Sequence, residues 1–176
     1  MTSAEERHAL LRIARRAIAA HLAGEPASAI DLRGAPSAPG GAFVTLRRRE
    51  ELRGCIGHIE ADGPVAAVVA RCAVASATED PRFPAVTLLE LVEIAIEVSL
   101  VGPLESAGAE SVEVGRHGLV VEMGWSRGLL LPQVATEWNW DRETFLTQAC
   151  RKAGLPGDAW KRGAKLWRFE AEVFGE

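Results

Sequence analysis

The segment Leu52-Arg53-Gly54-Cys55-Ile56-Gly57 constrains this chain most, because it sets two glycines inside a run that otherwise has strand character. Glycine weakens a strand unless another backbone or a ligand must come close, so the segment is expected to sit against something tightly packed. Strand alternation places Arg53, Cys55 and Gly57 on one face and turns Ile56 toward the core. The preceding run Phe43-Val44-Thr45-Leu46 makes the other arm of a hairpin. Its turn lacks an Asn-Gly or Asp-Gly pair. Arg47-Arg48-Arg49, followed at once by Glu50-Glu51, reads as a solvated turn.

Apolar residues at Leu10, Ile13, Ala14, Ala17 and Ile18 lie on one stripe of a first helix over 5–22, which Gly24 and Pro26 end. A long surface loop then runs to Gly41. Pro64 opens a second helix to about Ala77, with Val65, Val68, Val69 and Cys72 on its inner face. The prolines of Asp80-Pro81-Arg82-Phe83-Pro84 impose a rigid loop. After a helical turn from Thr87, Ile94, Ile96, Val98 and Leu100 alternate with Glu93, Ala95, Glu97 and Ser99, the period of a half-buried strand. Segments 118–123 and 129–131 flank a glycine-bounded loop as a second hairpin. Pro132 opens a short helix to Trp138, and Asp141 caps a helix that Gly154 and Pro156 end. Trp167, Phe169, Ala171 and Val173 share one face of a final strand. The order describes an α+β domain spanning residues 1–176.

A chain of 176 residues with 48% apolar content can fill one core. The apolar stretch from Val65 to Ala77 is broken by Arg71 and falls short of the roughly 20 residues of a membrane span. The charged, helical N-terminus has no apolar signal region, which predicts a cytoplasmic protein. Three widely spaced cysteines, Cys55, Cys72 and Cys150, predict reduced thiols. A net charge of −4 argues against sequence-independent nucleic-acid binding. The sequence holds no G-x-G-x-x-G, phosphate-loop or G-x-S-x-G motif, and its four histidines are scattered, so no metal or nucleotide cofactor is implied.

Cys55 has two readings: a thiolate favoured by the Arg53 guanidinium, or a small buried residue, as most unpaired cysteines are. His58 falls on the opposite strand face unless Gly57 makes a bulge. His117, before a glycine at a strand entrance, reads as an acid, base or donor, or as a surface-turn histidine. Trp125, Trp138 and Trp140 can stack on a ligand but are more often core residues.

Phe43 to Leu46, Leu52 to Gly57, Asp80 to Pro84, Glu97-Val98-Ser99, His117-Gly118-Leu119, Gly128 to Ala135, Trp140 to Leu146, Cys150 to Leu155 with Trp160, and Phe169 to Phe174 together resemble, in order and spacing, the AMMECR-type domain family. In bacteria this family is known as AmmeMemoRadiSam system protein A. The resemblance covers nearly everything after the first forty residues. It implies a two-lobed single domain with mixed or antiparallel sheets flanked by helices, and a cleft between lobes near the Leu-Arg-Gly-Cys-Ile-Gly signature. It also implies an association with a Memo-like protein and a radical SAM protein, with RNA modification suggested at family level. The chain departs from the family at Arg48-Arg49-Glu50, where an Asn-Gly type of turn is usual, and at His58, where threonine is common.

Three functional readings follow. In the first, an enzyme component uses Cys55, His117 and Glu97 as catalytic groups, while Arg53, Gly54, Gly57, Asp80, Arg82 and Phe83 contact the ligand. In the second, the glycine-rich strand and the rigid loop form a docking groove for a partner protein. The third, an RNA-modification accessory, needs a basic face that the composition does not supply.

Overall fold

The computed structural model describes residues 1–60 and 63–176. They form two units: Met1–Val101 with Glu172–Glu176, and Gly102–Ala171. The chain is α+β, built on antiparallel strand pairs.

In the first unit, α1 (Ala4–Leu22) starts on a capping box in which Ser3 and Glu6 satisfy each other's backbone N–H. Its stripe of Leu10, Ile13, Ala14, Ala17 and Ile18 is buried against Val65, Val68, Val69 and Cys72 of α2 (Val65–Thr78). The same core takes Val44 and Leu46 from β1 (Gly41–Arg48) and Ile96 and Val98 from β3 (Ile94–Val101). Strands run in the order β2 (Glu51–His58), β1, β3, then the end of β7 (Lys165–Gly175), where Glu176 N–H donates to the Ile96 carbonyl at 3.1 Å. The helices therefore cover one face of β1–β3, the one that carries alternate residues Val44, Leu46, Ile96 and Val98.

Gly54 explains how α2 lies so close to this sheet. A Cβ at this position would stand 2.1 Å from the Ser76 carbonyl oxygen. With that space empty, Ser76 Oγ accepts from Ile56 N–H at 2.8 Å and donates to the Val44 carbonyl at 2.7 Å. One helical hydroxyl thus stitches both strands, satisfying polar groups that burial would otherwise leave unpaired.

The β1–β2 register breaks once. Leu46 faces Gly54 and Arg47 faces Leu52, which leaves Arg53 as the extra residue of a bulge. Strict alternation therefore misplaces Arg53, although it holds from Gly54 to His58. The hairpin turn is made by Arg49 and Glu50, with φ of 51° and 68°, a left-handed pair usually given to Asn-Gly. Arg48 braces it by pairing with Glu93 at 2.7 Å. Beyond α2, α3 (Leu88–Leu91) is capped by Thr87, whose side chain accepts from Glu90 N–H.

In the second unit, β5 (His117–Met123) pairs with β6 (Ser126–Leu130) and with β7, and β4 (Glu105–Ser106) also joins β7. After α4 (Pro132–Glu137), Asp141 accepts from Thr144 N–H at 2.8 Å and starts α5 (Arg142–Lys152). Phe145, Leu146, Ala149 and Cys150 of α5 pack on Leu119, Val121 and Leu166. Phe169 points to the other strand face, where its ring fills the space above Gly118. The final strand thus contributes buried residues from both faces, not only the predicted one. Trp125 and Trp138 are exposed, contrary to the expectation of core residues, while Trp140 stacks on Trp138 with centroids 6.2 Å apart and packs against the core.

Candidate functional site

The face of β1–β3 turned away from the helices carries most of the residues singled out in the sequence. The register sets Cys55 opposite Thr45, and Thr45 opposite Glu97, so thiol, hydroxyl and carboxylate form one row across three strands. Thr45 Oγ1 donates to Cys55 Sγ at 3.2 Å. Thr45 was missed by the sequence reading; its signal was its alternation with Val44 and Leu46, but its neighbours became visible only with the register. In the next row, Gly57 is bare because the Phe43 ring lies over it, 2.3 Å from where a Cβ would stand.

The rigid loop is tied to this row by Asp80. Its Oδ2 accepts the Cys55 N–H at 2.9 Å and Arg82 Nη2 at 2.7 Å, and its Oδ1 accepts Arg82 N–H and Nε at 3.1 and 2.9 Å. These bonds, from the Arg82 side chain above all, hold the buried Asp80 carboxyl well below the usual carboxylate range against the opposing effect of burial. Arg82 and Arg53 both approach the Phe83 ring, at 5.5 and 5.8 Å from its centroid.

Arg53 does not activate Cys55. Its Nε and Nη2 donate to Glu90 at 2.5 and 3.1 Å, an ion pair with both side chains mostly buried. Burial pushes the Cys55 thiol up, only partly opposed by the Thr45 hydrogen bond and the Arg82 charge. The Arg53 guanidinium that was expected to favour a thiolate is thus committed to Glu90. His58 is no partner either, since it faces Ala42 in the register and lies on the helix side. There it lines a cavity of about 410 Å³ with Ala17, His21, Ile30 and Arg71.

Among the described residues of this unit, two buried polar atoms have no hydrogen-bond partner, Glu97 Oε1 and Arg53 Nη1. Each such group costs on the order of 1–3 kcal/mol unless a bound molecule completes it.

His117 belongs to the second unit and is buried there, not on a surface turn. Its Nδ1 accepts the Glu113 N–H at 3.0 Å, so the neutral ring carries its proton on Nε2. It lines a cavity of about 230 Å³ with Gly102, Arg116, Arg168 and Phe169. Among the described residues no group of three or more His, Cys, Asp or Glu is placed to hold a metal ion, and no helix is long and apolar enough to cross a membrane.

This geometry coincides with a family match that runs over residues 11–174, the AMMECR1 profile. The chain belongs to the AMMECR1 family. A protein of Methanothermobacter thermautotrophicus is 45% identical over 99% of this chain and 96% of its own length. One from Methanococcoides burtonii is 43% identical, covering 100% and 92%. An uncharacterized protein from Pyrococcus horikoshii, solved by crystallography, superposes with a TM-score of 0.88 at 41% identity, covering 98% of this chain and 91% of that one. The AMMECR1 match spans the strand row and the loop that Asp80 secures.

Proposed function

We propose that this AMMECR1-family chain is an enzyme component that binds a small polar ligand on the β1–β3 face and works with a Memo-like protein and a radical SAM protein. The observation that carries this reading is the row Cys55–Thr45–Glu97 beside a loop locked to it through Asp80. Chemically distinct groups held on paired strands, with their positions fixed by buried hydrogen bonds, are what a preorganised site requires. Cys55 serves as a wall and hydrogen-bonding group in this site, since burial pushes its thiol up.

A second reading, a docking module, is supported by Leu88, Leu89 and Val92, which α3 and its end expose at 49%, 86% and 83%. Exposed aliphatic side chains on one short element suit a protein contact. Both are tested by combining the purified chain with the Memo-like and radical SAM proteins of one genome and a small-molecule extract, under anaerobic reducing conditions. The enzyme-component reading expects product formation, followed by mass spectrometry, to require this chain and to fall at least tenfold with Thr45→Val. Full activity of Thr45→Val with loss in Leu89→Asp would instead favour docking.

A further inference from the structure

We propose that Glu97 anchors the protonated nitrogen of a small ligand, an ammonium or guanidinium group, on the β1–β3 face. The proposal rests on reading that face as a ligand site and names the chemistry the site selects. Five acidic groups of the same unit are each compensated by an arginine: Asp80 by Arg82, Glu90 by Arg53, Glu93 by Arg48, Glu172 by Arg7 and Glu176 by Arg15. Glu97 differs in being unpaired and partly buried. Among the described residues its carboxylate has neither a hydrogen bond nor an ion pair, and its Oε1 is withdrawn from water.

The neighbouring strand supplies a second acceptor. Thr45 faces Glu97 directly and commits its hydroxyl proton to Cys55 Sγ, which leaves its oxygen lone pairs free to accept. Paired strands run roughly 5 Å apart, so one nitrogen group with several N–H donors can bridge the carboxylate and the hydroxyl. An ammonium carries three such donors and a guanidinium five, and a charged donor on a charged acceptor makes a bond about twice as strong as a neutral one. Of the arginines near the row, Arg82 is held by Asp80, Arg53 by Glu90, and Arg47 donates to the Glu50 carbonyl, and none of them reaches Glu97 Oε1. An anionic ligand group would meet the Glu97 charge, and a purely apolar one would leave its oxygen unpaired.

The test is an amide-resolved NMR titration of the intact chain with n-butylammonium, with methylguanidinium and, as uncharged comparison, with n-butanol. Saturable shifts at Thr45, Cys55 and Glu97 are expected for the two cations and not for butanol. Affinity should fall at least tenfold in Glu97→Gln and severalfold in Thr45→Val. Glu97→Asp, which keeps the charge but draws the oxygen back, should bind with intermediate affinity, and if Glu97→Gln does not fold, the selectivity of the native chain for cations over butanol decides. Equal shifts with butanol, or unchanged affinity in Glu97→Gln, overturn the proposal. If butanol binds these residues and the cations do not, the nitrogen assignment fails while the face stands as a ligand site. If no probe perturbs the row and Thr45→Val is fully active in reconstitution, both readings fall.

Discussion

Asp80 accepts the backbone N–H of Cys55 at 2.9 Å, joining the proline-rigid loop to the strand that carries Gly54 and Gly57. The same carboxylate holds the Arg82 side chain through both oxygens. Loop position and strand chemistry are therefore set by one buried side chain.

Asp80→Asn should destabilise the protein by about 2 kcal/mol at neutral pH, the scale of hydrogen bonds to a charged group. Because the folded carboxyl titrates below its unfolded value of about 3.9, its contribution is fully present above that pH. It declines as pH falls through the lower, folded value. Urea unfolding of both chains between neutral and acid pH checks this: the gap between them should narrow on acidification.

Gly54→Ala should destabilise by roughly 3 kcal/mol, the upper range for overpacking. The new methyl group would meet backbone, the Ser76 carbonyl, instead of a side chain that can rotate away. Thermal unfolding measures the loss, and hydrogen exchange at Ile56 should quicken as its bond to Ser76 breaks.

The hairpin turn offers the opposite result. Replacing Arg49 and Glu50 by Asn and Gly should raise stability by about 1 kcal/mol, since both positions have positive φ that those residues adopt more readily. Arg49 gives up only a distant, exposed pairing with Glu93 at 4.0 Å. Denaturant midpoints report the gain.

The His117 ring should show the Nε2–H tautomer in two-bond proton–nitrogen NMR spectra of the neutral form, as its Nδ1 bond to Glu113 N–H requires. Signals of the Nδ1–H tautomer would contradict that hydrogen bond.

Much of the fold was legible because periodic patterns report one element at a time. The stripe from Leu10 to Ile18 and the alternation from Ile94 to Leu100 each declared their buried face. The close approach at Gly54 was legible too, because a glycine in a strand demands a reason. What escaped needed contacts between distant residues. The bulge at Arg53 broke the alternation that was to aim its guanidinium at Cys55, and Glu90 captured that group from 37 positions away. Thr45 joined the row through its register with β2 and β3, and the burial of His117 depended on how Glu113 folds back over it.

Site-resolved alkylation of Cys55 across pH, with and without a small-molecule extract, tests the central claim most directly. A ligand-binding face with a buried thiol predicts slow reaction, with its inflection above the free-thiol value of about 8.5 and unchanged by Arg53→Ala. The extract should slow it several-fold further in the native chain but not in Glu97→Gln. Rapid alkylation near neutral pH that depends on Arg53, or a rate that no extract alters, would contradict the account.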